Sequence, residues 1–224
     1  MNNFQIANAD TDSISFCKKD GSFIPKIERE SLIKEINGIS PEFMLWADDG
    51  YYKKVIIVAG KNYILQDEKG KLKIKGSGLK APGKEKALRE FIKEVIDCML
   101  EDRNDYVEIY KKYAKEIINM KDISRWVSRK TISSKTLTSQ RSNETKIVDA
   151  IKGTEIVEGN RAYFFFKSDD SLSLLENFDG DYSIDKLLKK LYDTGQVFDA
   201  VLNMEMFPNL SLKRNKGLLE QLSA

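Results

Sequence analysis

Histidine is absent from all 224 residues. That excludes Ser-His-Asp and Cys-His nucleophile systems and every histidine-based zinc site. Any metal bound here is held by oxygen, which favours magnesium, manganese or calcium. Cysteine is nearly absent too. Cys17 and Cys98 lie far apart in the chain, and their spacing suits reduced thiols better than a disulfide framework. No apolar run approaches the ~20 residues that span a bilayer. The opening MNNFQIANAD has neither the basic region nor the apolar stretch of a secretory signal. A cytoplasmic location, with no membrane partner, is the expectation.

What remains is ordinary for a globular chain: 41% hydrophobic and 32% charged residues. The length allows one large or two small cores. The net charge of +2 hides an uneven distribution. Residues 121–146 are basic and rich in Ser and Thr, whereas 168–205 carry an excess of Asp and Glu. A polyanion meeting one surface only would suit that asymmetry, as would a pair of simply solvated faces.

The periodicities divide the chain in two. FQIAN and SISF read as strands of a hairpin around an Asp-Thr-Asp turn. A short amphipathic helix is expected over 27–37. VIIVA, KNYIL and KLKIK then read as a meander, with DEKG as a turn. Beyond Ala81–Pro82 the period becomes helical. Leu88, Phe91, Ile92, Val95, Ile96, Met99 and Leu100 share one face, and Tyr106, Ile109, Tyr110, Tyr113, Ile117 and Ile118 share another, predicting an αα-hairpin. Residues 124–141 read as a Ser/Thr-rich basic loop or a disordered linker. A strand is expected after EGN at 158–160. A helix should start at the N-cap Ser183 and stop near Gly195. Met204, Met206 and Phe207 are expected in the core.

Two motifs fail on inspection. Asp10-x-Asp12 is not an EF-hand, because Ile14 and Ser15 stand where an oxygen ligand and a glycine are needed. Gly78-xxxx-Gly83-Lys84 nearly makes a phosphate-binding loop, but Glu85 replaces the hydroxyl residue that meets magnesium. The pair Asp10 and Asp12 remains. Two acidic residues spaced i, i+2 at a hairpin tip can face one side and hold divalent ions, although an Asp-Thr-Asp stretch alone is also an ordinary polar turn.

Order along the chain gives that pair its meaning. ADTDSISF, GYYKKVIIVAGKNYIL, LKIKG and LKAPGKEKALREFIKEVIDCML resemble, in sequence, the C-terminal part of family B DNA polymerases, the T-even phage and archaeal enzymes among them. The first resembles the motif C hairpin and the second leads into the Lys-Lys-x-Tyr motif. The third resembles the strand that touches the primer, and the fourth the helix that passes from palm to thumb. The match is good over 4–100 and only in outline beyond. It departs at Asn8, where an aromatic is usual, and at Gly60-Lys61-Asn62-Tyr63, where only Lys61 and Tyr63 carry over.

The resemblance implies an α+β fold: a partial antiparallel palm sheet with the motif C hairpin over 1–81, followed by a mostly helical thumb over 82–224. It implies that Asp12 meets both of two Mg2+ ions, with Asp10 close behind, and that Lys61, Tyr63, Lys73 and Lys75 contact the primer. Arg125, Arg129, Lys130 and Lys135 would grip primer–template DNA from the thumb. Motif A, motif B and the exonuclease domain are not found in the chain. The resemblance therefore implies a split, DNA-directed DNA polymerase whose N-terminal subunit supplies them and the dNTP site, with a sliding clamp as a further partner, in a bacterial or phage-infected cell. With no histidine and a Met at position 1, the chain is expected to be translated independently rather than to flank an intein. The alternative is a non-catalytic DNA-binding remnant of a polymerase.

Overall fold

The computed structural model describes residues 3–81, 83–198, 200–202, 207–210 and 217. The chain forms two compact units, Met1–Lys80 and Ala81–Ala224.

In the first unit, β1 (Phe4–Asp10) and β2 (Ser13–Lys18) form an antiparallel hairpin closed by the two-residue loop Thr11-Asp12. Asp10 pairs with Ser13 in the last rung. Thr11 has φ 56 and is the one loop residue with a left-handed φ, the pattern of a type II′ turn. For a β-branched residue this conformation is strained. The register shifts between Ile6 and Asn8, leaving Ala7 as the extra residue of a bulge. Phe4 and Phe16 meet edge to face at 5.8 Å.

Helix α1 (Lys26–Ile39) follows, and Lys18 of β2 reaches its Glu28 at 2.7 Å. The segment after α1 is clamped back onto it. The Asn37 amide donates to the Trp46 carbonyl at 3.0 Å and accepts from the Trp46 N–H at 2.7 Å. Arg29 adds a 3.0 Å bond to Asp48. Between these ties Phe43 and Leu45 stand 96% and 83% exposed.

Strands β3 (Lys54–Ala59), β4 (Asn62–Gln66) and β5 (Leu72–Lys75) form the expected meander. Val58, Tyr63, Ile64 and Leu65 are its buried residues. Asp67 makes the second turn by accepting from the Lys69 and Lys71 N–H groups at 2.9 and 2.8 Å. The short helix α2 (Ser77–Lys80) comes next. Gly76, at φ +97, lets the two ends of the meander touch. A Cβ there would lie 2.1 Å from Asn62 Oδ1 and 2.3 Å from the Lys61 carbonyl oxygen.

The second unit opens with α3 (Lys86–Leu100) and α4 (Tyr106–Ile118), the predicted αα-hairpin. The residues of the predicted faces are buried, apart from Ile118. Phe91 forms edge-to-face pairs with Tyr110, Tyr113 and Phe207. Phe207 is buried as expected; Met204 and Met206 lie outside the described residues. Helix α7 (Ile184–Gly195) is capped by Ser183, whose hydroxyl accepts from the Lys186 N–H. Gly195 is the last helical residue rather than a left-handed stop, and the Phe207 ring would stand 3.1 Å from any Cβ there.

The loop expected over 124–141 is not a loop. It contains β6 (Ser128–Thr131) and α5 (Ser134–Thr138), and α6 (Ser142–Ile151) begins directly after it. Two features order it. Ser133 caps α5 by accepting from the Thr136 N–H at 3.2 Å, and Trp126, Val127, Ile132 and Thr136 are buried. Strand β6 joins β7 (Arg161–Phe166) and β8 (Leu172–Leu174) in an antiparallel sheet of order β6-β7-β8. Ile132, Ile147, Ile151, Ala162, Phe164 and Leu174 form the core between this sheet and α6. The second unit is thus helical with a small sheet of its own.

The residues of the near phosphate loop have structural work. Lys84 donates to the Thr194 hydroxyl at 2.9 Å. Glu85 is buried against Lys190 and accepts from the Ser128 hydroxyl at 2.6 Å. Burial pushes its carboxyl up, but the Lys190 ammonium and the Ser128 hydroxyl outweigh that and hold it below its ordinary value.

Candidate functional site

The two aspartates at the hairpin tip are not equivalent. Asp10 sits in the last rung of the ladder, half-buried, and both of its carboxylate oxygens are engaged. The Thr11 hydroxyl donates to Oδ1 at 3.2 Å, and the Tyr63 hydroxyl donates to Oδ2 at 3.4 Å. The Ser13 hydroxyl donates to the Asp10 carbonyl at 3.1 Å and tightens the turn. Asp12 occupies the loop itself. It is exposed, and among the described residues no side chain or N–H donates to its carboxylate. One carboxylate is tethered and the other is free.

Tyr63 is the residue that ties the tip to the meander. It lies on β4 only 9% exposed, and its hydroxyl crosses to β1. Burial and then the Asp10 charge push its phenol above the ordinary value. Lys75 stands directly opposite Tyr63 in the ladder, and Lys73 stands opposite Leu65. Cross-strand partners share a face, so both lysines project on the Tyr63 side of the sheet.

Their surroundings differ. Lys73 is engaged: its ammonium donates to Asp49 and to the Tyr52 hydroxyl, each at 3.2 Å. The hydrogen bond it gives to Tyr52, followed by that to Asp49, raises its pKa. Lys75 is exposed, as is Lys61 in the β3–β4 turn, and neither has an ion pair among the described residues. Tyr63, Lys61 and Lys75 share one end of the meander, held in shape by the contact across Gly76.

In the second unit the four predicted basic residues separate into two kinds. Arg125 is drawn into the fold. It pairs with Glu90 and, at 2.9 Å, with Glu116, which also accepts from the Trp126 indole N–H at 2.9 Å. Lys130 approaches Glu144 of α6 at 3.5 Å. Arg129 and Lys135 are exposed and have no ion pair among the described residues. The sequence offered no sign of these carboxylate partners, which lie 9 to 35 positions away.

No family model matches this chain, and no curated protein matches it by sequence. A structural match does exist. The fold superposes on the family B DNA polymerase from the hyperthermophilic archaeon Pyrobaculum calidifontis with a TM-score of 0.65, at 15% identity. The match covers 89% of this chain and 27% of that one. The fold is polymerase-like. The chain spans about a quarter of the length of that polymerase, and at such low identity the likeness concerns the fold alone. No described helix is long and apolar enough to cross a membrane.

Hard oxygen donors suit magnesium, and the donor set at the tip fits it: an accessible carboxylate on Asp12, with Asp10 beside it. Among the described residues no third Asp, Glu or Cys side chain joins these two to form a metal-ligating group.

Proposed function

We propose that this chain is the C-terminal part of a split DNA-directed DNA polymerase, with residues 1–81 as part of the palm and 82–224 as the thumb. The observation that carries the reading is the free, exposed Asp12 carboxylate beside the tethered Asp10, within a polymerase-like fold. Asp12 would hold Mg2+ and Asp10 would position the turn. Magnesium, when bound, supplies Lewis-acid stabilisation of the charge that develops in nucleotidyl transfer. The remaining carboxylate ligand, the nucleotide-gripping residues and the exonuclease belong to a second polypeptide in this reading. Lys61, Tyr63 and Lys75 face the primer, and Lys73 braces that face through Asp49 and Tyr52.

The geometry of the hairpin supports a place for that second chain. β1 and β2 pair only with each other among the described strands, and Ile6 is 69% exposed. A two-stranded hairpin with an apolar outer residue is a natural template for an added strand. Such pairing belongs to interfaces of well over ~1,000 Å².

The test is primer extension. The purified chain alone extends no primer in Mg2+, and adding a palm–fingers chain that carries the missing motifs restores synthesis. Ile6→Lys weakens that assembly, whereas Asp12→Ala assembles normally and synthesises nothing. Extension by the chain alone would sink the reading. Failure of any palm–fingers chain to restore synthesis, with DNA binding intact, would favour a DNA-binding remnant instead.

A further inference from the structure

About half of the described basic side chains of the second unit pair with carboxylates. Arg103, Lys111, Lys112, Arg125, Lys130, Lys146, Lys167, Lys186, Lys189 and Lys190 all have an acidic partner within 4.0 Å. Of those without an ion pair among the described residues, two arginines stand together on one sheet face.

The register makes this face explicit. Arg129 of β6 lies opposite Tyr163 of β7, and Thr131 lies opposite Arg161. All four side chains are exposed, Tyr163 at 42%. The intervening residues Ala162 and Phe164 point into the core against α6, so Arg129, Thr131, Arg161 and Tyr163 share the outer face. The same face is closed further along: Phe165 is buried, with Phe178 edge-on at 5.5 Å. The open part therefore has a defined end. Glu158, in the turn before β7, is occupied by the Ser134 N–H at 2.9 Å.

Arg129 and Arg161 are diagonal neighbours, a relation that sets Cα atoms about 7–8 Å apart. Two like charges so placed repel, and a polyanion relieves the repulsion. Tyr163, opposite Arg129 and two residues along β7 from Arg161, offers an aromatic group on the same face. A duplex hides its base faces and gives such a ring nothing to stack on. An unpaired strand offers both phosphates and base faces, the combination that aromatic-plus-basic sheet surfaces take.

We infer that the outer face of β6–β7 binds single-stranded nucleic acid, with a base stacked on Tyr163 and flanking phosphates on Arg129 and Arg161. The site belongs to the second unit and does not depend on the polymerase reading, since binding here needs no metal, nucleotide or second chain.

The experiment uses the full chain and labelled oligo(dT) of about 15 nucleotides, compared with a duplex of equal length, by fluorescence anisotropy at several salt concentrations. Oligo(dT) binds more tightly than duplex. Tyr163→Ala weakens oligo(dT) binding by about fivefold or more, whereas Tyr163→Phe keeps it. Tyr163→Thr, which preserves strand propensity, repeats the loss if the Ala variant folds poorly. Arg129→Ala and Arg161→Ala each flatten the log–log salt slope by about 0.7. Lys112→Ala, which removes a lysine paired with Glu94, changes nothing. Preference for duplex, wild-type binding by the Tyr163 variants, or no binding at all overturns the inference. Because no synthesis is measured, failure here leaves the proposed polymerase role to its own test.

Discussion

The Tyr63 hydroxyl reaches across 53 positions of sequence to donate to Asp10 at 3.4 Å. It joins the hairpin tip to the meander and fixes one carboxylate while leaving Asp12 free. Tyr63→Phe keeps the ring in its buried site and removes only this bond. A loss of about 1 kcal/mol is expected in urea unfolding. The phenol is raised in the folded state, so its stabilisation is complete below the ordinary value of 10.0 and is lost as pH rises through the folded value. The alkaline limb of stability should therefore be shallower in Tyr63→Phe than in the parent, measured by thermal melts across that range.

Asp10 and Asp12 should respond differently to removal. Asp12→Ala touches no hydrogen bond of the fold and leaves the melting temperature unchanged. Asp10→Ala frees the Tyr63 and Thr11 hydroxyls and lowers stability by about 1–2 kcal/mol. In a reconstituted polymerase the order reverses: Asp12→Ala costs about 10³-fold or more in rate, and Asp10→Ala costs less. Equal melting temperatures for the two variants would contradict the tethering described here.

Glu85 supplies an acid limb. Its carboxyl lies below the ordinary 4.5 when folded. The stabilisation it confers is full above that value and disappears as pH falls through the folded one. Glu85→Gln keeps the shape and a hydrogen-bonding group but removes the charge opposite Lys190. It should cost on the order of 1–2 kcal/mol near neutral pH and show a flatter decline between about pH 5 and 3. Denaturant midpoints measured across that range decide it.

Gly76→Ala tests the closed end of the meander. The new methyl would meet Asn62 Oδ1 and the Lys61 carbonyl in a left-handed backbone. A cost of about 2 kcal/mol or more is expected, together with weaker binding of primer–template, because Lys61, Tyr63 and Lys75 lose their common placement. Urea unfolding and a binding titration measure the two effects.

The helices of the second unit were legible because Leu88 to Leu100 and Tyr106 to Ile117 repeat at helical spacing and are buried on that face. The Asp-Thr-Asp tip and the meander were legible for a similar reason: turn residues separate β-branched and aromatic runs. Residues 124–141 were misread because Ser and Thr serve equally well in loops, in caps such as Ser133, and in strands such as β6. The order there comes from Trp126, Val127, Ile132 and Thr136, four buried side chains in a polar stretch. Nor could spacing reveal that Arg125 is held by Glu90 and Glu116 while Arg129, four residues on, is exposed. Such pairing is decided by tertiary neighbours. The Arg161–Tyr163 face went unnoticed because a strand was expected there without a partner strand, and only the β6–β7 register brings Arg129 alongside it.

The clamp between Asn37 and Trp46 has a consequence for how the protein behaves in solution. Two backbone-directed bonds hold the segment open at its base, so Phe43 and Leu45 cannot fold inward without breaking them. Their wetting is built into the backbone path. Self-association of the isolated chain should therefore rise with concentration and with added sulfate, which strengthens apolar burial. Lowering the net charge by moving towards the isoelectric point should promote it further. The colloidal limit of this protein is then set by the clamp that one asparagine side chain makes.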